Sequence, residues 1–176
     1  MTMDNLFAQV ENAIAQLEQA KQTIETASEM RRQAEQRLYY LQAQASSSED
    51  ASDQLGVLEA MRSVAMEIKG YDAQIQNAQA AQTQAQRYLI ATQTELNKVV
   101  QSITEKLPAF DKSLEGLGQM ASVSSFGSQA VSAQYQKLSN TRADYQKNLD
   151  DAYALLDRID SALNGGGTSP RLVLRR

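Results

Sequence analysis

Residues 3–45 read MDNLFAQVENAIAQLEQAKQTIETASEMRRQAEQRLYYLQAQA, and a seven-residue spacing of apolar side chains runs through the whole stretch. One register holds Met3, Val10, Leu17, Ile24, Arg31, Leu38 and Ala45. A second, three residues on, holds Leu6, Ala13, Ala20, Ala27, Ala34 and Leu41. These are the a and d positions of a coiled-coil seam. Four alanines in succession at d let a neighbouring helix come close, because nothing longer holds the backbones apart. The spacing predicts a helix over about 3–45, roughly 65 Å long at ~1.5 Å per residue.

The stretch SSSEDASD (46–53) breaks the pattern. Ser and Asp compete with the backbone for hydrogen bonds and then cap a following helix. A short connection between long helices makes them antiparallel neighbours, so a helical hairpin is expected. The seam restarts at once with Met61, Ile68, Ile75, Gln82, Leu89, Leu96 and Ile103 in one register. The other holds Val57, Val64, Tyr71, Ala78, Ala85, Thr92 and Val99. This second helix is predicted over about 51–107, with Pro108 ending or kinking it. Gly56 and Gly70 each cost about 1 kcal/mol relative to Ala, which seven heptads can absorb.

After Pro108 the periodicity weakens. Phe110, Leu114 and Leu117 keep helical spacing, but Gly116, Gly118 and MASVSSFGS (120–128) read as a loop or broken helix. A third helix is predicted over about 129–163 from Val131, Leu138, Tyr145, Ala152 and Ile159, flanked by Tyr135, Leu149, Leu156 and Leu163. Two layouts follow. Reversal at Pro108 returns helix 3 along helix 2 as a three-helix rod. Reversal near Ser124 carries helix 2 past Pro108, with helices 1 and 3 covering different ends of it. The longer breaker cluster favours the second. The fold expected is all-α: an elongated antiparallel hairpin with a third long helix over 1–163, then a Gly-linked basic tail over 164–176.

Composition agrees. Ala occurs 25 times and Gln 22 times among 176 residues, against 2 Pro and 8 Gly. Cys, His and Trp are absent, which excludes disulfide scaffolds, thiolate or imidazole metal sites and cysteine or histidine catalysis. The net charge of −4 argues against a general nucleic-acid binder. No 18-residue apolar run suits a membrane span. The first basic residue is Lys21, so no secretory n-region is expected. The default location is therefore a reducing cytoplasm at synthesis, with incorporation into a particle or assembly as a later destination.

Polar residues on the seams are the first candidate site. Arg31, Gln82 and Arg142 stand where an apolar residue is expected. A hairpin turning at 46–53 places Arg31 near Glu67, as a register-fixing ion pair. The competing reading has Arg31 snorkel past a narrow seam. The basic–aromatic segment MRRQAEQRLYY (30–40) suits a phosphate backbone in principle. Glu29 and Glu35 offset two of its three charges, so a solvated helix face is expected there. The run AQIQNAQAAQTQAQ (73–86) lacks charge entirely. It suits a helix packed among other helices, where amides bond across an interface; the plainer reading is a helix-tolerant solvated face.

No phosphate-binding G-x-x-x-x-G-K-[ST] loop occurs, and Ser124, Ser125 and Ser128 have no His to activate them. No catalytic, cofactor or metal residue is assigned, and the chain is read as a non-enzyme. The tail is different in kind. After Gly165, Gly166, Gly167 and Pro170 come Arg171, Leu172, Val173, Leu174, Arg175 and Arg176. This has the form of a linear motif: the apolar trio adds to a sheet edge or fills a groove, and the arginines meet an acidic rim. The bland reading is a frayed terminus.

In composition the chain resembles the Ala/Gln-rich helical internal or ejection proteins of short-tailed phages. As an acidic helical rod with a basic tail it is also similar to phage scaffolding proteins. The glycine linker ending in Leu-Val-Leu-Arg-Arg resembles the C-terminal cargo-loading peptides of encapsulin systems, without their Gly-Ser-Leu core. The leading expectation is a structural subunit, a homo-oligomer packed in many copies in a large assembly such as a phage-type particle, its tail anchored to a neighbouring protein. An adaptor or cargo protein docking through RLVLRR is the alternative. A third reading is a helical protein exported without a signal to act at a membrane.

Overall fold

The structure, a computed structural model, describes residues 3–47, 50–123 and 128–165. Three long helices pack antiparallel: α1 (Met3–Ser47), α2 (Ala51–Val123) and α3 (Ser128–Leu163). The chain divides into two compact units. One is residues 13–87; the other combines the first turns of α1, up to Asn12, with everything from Tyr88 on.

In the 13–87 unit, α1 and α2 form the expected hairpin. Asp50 caps α2: its Oδ1 accepts from the Ser52 N–H at 2.9 Å, and its carbonyl accepts from the Gln54 N–H at 3.0 Å. Ala13, Leu17, Ala20, Ala27 and Ala34 of α1 are all buried, as are Val57, Val64, Ala78 and Ala85 of α2 along the same seam. The larger seam residues Ile24, Leu38, Leu41, Ile68, Tyr71 and Ile75 are only half-buried. Two helices have no third element to close over the edges of their seam.

The other unit has that third element. Leu89, Thr92, Leu96 and Ile103 of α2 are buried together with Val10 of α1 and Leu149, Ala152, Leu155 and Ile159 of α3. Tyr88 donates to Gln9 Oε1 at 3.0 Å, and Arg158 pairs with Glu11 while lying 5.6 Å from the Phe7 ring centroid. Because α3 meets two helices here, it buries a wider stripe than one seam. Leu155, three residues after Ala152 in a register otherwise largely polar, is fully buried. Val99 and Tyr135, read as seam or flank, are instead exposed.

The helix boundaries at α1 and α3 agree with the spacing; the end of α2 does not. Instead of stopping near Leu107, α2 continues through Pro108, Gly116 and Gly118 to Val123. Proline loses its N–H bond to the carbonyl four residues back and its ring crowds that carbonyl, and contacts on the far side offset this local cost. Phe110 packs on Tyr145 with centroids 5.2 Å apart, Lys106 Nζ lies 5.9 Å from the same ring, and Arg142 Nε donates to Asp111 Oδ1 at 2.7 Å. The chain therefore reverses after Val123, the layout the breaker cluster favours.

Candidate interaction surfaces

The polar seam residues lie at the edges of the helix pairs. Arg31 does not meet Glu67. Its Nε donates to Asp72 Oδ1 at 2.6 Å and its Nη1 lies 2.9 Å from Glu35 Oε1, while Glu67 takes Arg37 at 2.6 Å. The offset in partners has a geometric cause. Helical side chains lean toward their own N-terminus. In an antiparallel pair a long arginine on α1 leans away from the turn, and a carboxylate on α2 leans toward it. Partners are thus several residues further from the turn than a count through its midpoint gives.

The Asp72 hydrogen bond and charge, with Glu35 beside it, hold the Arg31 guanidinium above its ordinary pKa. Asp111 does the same for Arg142. On the outer side of α1, Arg32 makes two hydrogen bonds to Glu29, at 2.9 and 3.1 Å, and Gln33 a third; these lower the Glu29 carboxyl below its usual value. All these groups remain substantially exposed. Gln82 is half-buried, without a buried unpaired atom. The tail residues Arg171 to Arg176 lie outside the described residues.

A shallow groove of about 560 Å³ runs along one side of the 13–87 hairpin, lined by Gln16, Gln19, Thr23, Gln74, Asn77 and Gln84 around Ala20, Ala78 and Ala81. No lining residue is charged. The α2 half belongs to the charge-free run singled out in the sequence, so small alanines form the floor and amides the rim. Elsewhere in the same unit, large apolar side chains stand out from the hairpin: Leu55, Leu58 and Met66 on α2, and Tyr39 and Tyr40 on α1, the last 71 % exposed. Periodicity misses these because they lie off the buried seam; their signal is apolar residues falling between the heptad positions.

Among the described residues no helix is long and apolar enough to cross a membrane, and no group of three or more acidic side chains is gathered to hold a metal ion. No family model matches the chain, and no curated protein or solved structure matches it either.

Proposed function

We propose that this chain is a non-enzymatic structural subunit that packs in multiple copies within a large protein assembly, with the C-terminal Arg171–Arg176 segment anchoring it to a neighbour. The supporting observation is the charge-free groove of the 13–87 hairpin, in a protein of which 22 % of residues are charged. A solitary hairpin ordinarily marks its solvent faces with Lys and Glu. An alanine floor rimmed by amides instead suits an adjoining helix. An assembly also multiplies a weak tail contact through effective concentration. A phage-type particle is one setting that fits such a subunit.

The adaptor reading has its own support in the tail sequence, where three apolar residues sit among arginines after a triglycine. Light scattering after size exclusion, on the full chain and on residues 1–164, separates the two. A large or concentration-dependent oligomer is expected, at least partly retained in 1–164. A monomer or dimer of unchanged mass in both overturns the structural-subunit reading and leaves the tail as the only docking element.

A further inference from the structure

The two outer faces of the 13–87 hairpin carry opposite charge. On α1, Glu18, Glu25 and Glu29 are exposed on the side away from the buried Leu17, Ala20 and Ala27. On α2, Arg62, Lys69 and Arg87 are exposed on the side away from the buried Val57, Val64, Ala78 and Ala85. None of these three cations has an ion pair among the described residues. Their face also carries the exposed Leu55, Leu58 and Met66. Three charges interrupt the pattern: Lys21 between Glu18 and Glu25 and Arg32 held by Glu29 on the acidic side, and Glu59, in the same heptad position as Met66 and Arg87, on the basic one.

We infer that the α2 outer face of one copy docks on the α1 outer face of a second copy, side by side and antiparallel. The inference rests on the multi-copy reading and names its contact. The register that links Arg31 to Asp72 and Arg37 to Glu67 inside one hairpin brings Glu18 level with Arg87 and Met66 within a turn of Tyr40, and sets Lys69 beside Arg32, whose charge Glu29 holds. A neighbour set alongside without axial shift therefore meets basic with acidic at Arg87 and Glu18, and apolar with apolar at Met66 and Tyr40. A parallel displacement of this kind uses two different patches on each copy, so it leaves one of each free at the ends of a row. It propagates into a ring or an open filament rather than stopping at a dimer.

Charge reversal on the full chain tests this. One variant carries Arg62→Glu, Lys69→Glu and Arg87→Glu, making both faces acidic; the other carries Glu18→Lys, Glu25→Lys and Glu29→Lys, making both basic. Light scattering at low salt should give oligomers for the wild type, monomer for each variant, and regained mass on mixing the variants in equal amounts. High salt should weaken all of these associations. Variants that assemble like the wild type, or a mixture that stays monomeric, overturn the contact while multi-copy packing stands. A wild type that is monomeric at every salt and concentration overturns both.

Should a charge-reversed chain fail to fold, disulfide trapping tests the same contact, helped by the absence of native cysteine. A Glu18→Cys chain oxidised with an Arg87→Cys chain should form the mixed dimer, and neither should self-link. Equal self-linking of either chain, or no mixed dimer, overturns the contact.

Discussion

Arg31 sits in an apolar register of α1, yet its guanidinium reaches the edge of the seam, with Nε 2.6 Å from Asp72 Oδ1 across the hairpin and Nη1 2.9 Å from Glu35 Oε1 one turn along. An inter-helix ion pair and a snorkelling side chain are both present in that arrangement. The arginine reaches its partner by extending out to half-exposed carboxylates instead of being sealed in the core. A pair so placed is screened by water and salt, so it adds little to stability.

Arg31→Leu should therefore leave the melting temperature unchanged or higher, since leucine suits the seam position. Asp72→Lys should lower it by setting two cations face to face, and high salt should recover much of the difference. Thermal unfolding followed by circular dichroism at low and high salt reads both effects. A large, salt-independent loss in Arg31→Leu would mean the pair is essential to the hairpin.

The alanine seam makes the opposite demand, for smallness. Ala34 is fully buried with α2 close against it. Ala34→Leu has nowhere to place three more carbons without spreading the helices, and a loss of about 1–3 kcal/mol is expected. Leu89→Ala, in the three-helix part of the core, empties a site at 0 % exposure and should cost about 2–5 kcal/mol. Urea titration measures both; the seam reading fails if Ala34→Leu is neutral.

The heptad spacing carried the helices, the hairpin and the buried alanines, because burial against one partner repeats with the period of the helix. It carried less where a third helix joins. Leu155 stands three residues after Ala152 in the partner register, but Gln134, Thr141 and Asn148 before it are polar and hide that register in the sequence. The end of α2 was illegible for a related reason: Pro108, Gly116 and Gly118 are local signals, whereas Phe110 on Tyr145 and Asp111 with Arg142 are contacts between residues far apart in the chain. The charge-free run was visible in the sequence. The groove it lines was not, because that requires knowing which α1 residues stand opposite.

Acid should act on Glu29. Its carboxyl is held below the ordinary value of 4.5 by hydrogen bonds from Arg32 and Gln33, partly opposed by desolvation. A depressed folded pKa means the ionised form is favoured in the native helix. Its stabilising contribution is full above the ordinary value and lost as pH falls through the lower folded one. Glu29→Gln should flatten the melting temperature against pH across that interval and change it little once the carboxyl is protonated in both states. A pH profile identical to the wild type's would show that the Arg32 bonds do not persist in solution.

Pro108 tests how much of α2 is held by its neighbour. Pro108→Ala restores a backbone donor and removes the ring's clash, so stability should rise, by up to about 3 kcal/mol if the helix is otherwise undistorted. Gly70→Ala offers a control within the same helix, where an added Cβ meets nothing within 4 Å and the gain expected is about 0.5–1 kcal/mol. If α2 ended at Leu107 in solution, Pro108→Ala would extend a helix and raise the far-ultraviolet helical signal as well as the stability. With α2 already continuous to Val123, the signal should stay constant while the denaturation midpoint moves. Breaking the support from the other side makes the complementary measurement: Tyr145→Ala removes the ring that Phe110 and Lys106 lie against, and should lower helicity beyond Pro108 in the wild type more than in Pro108→Ala.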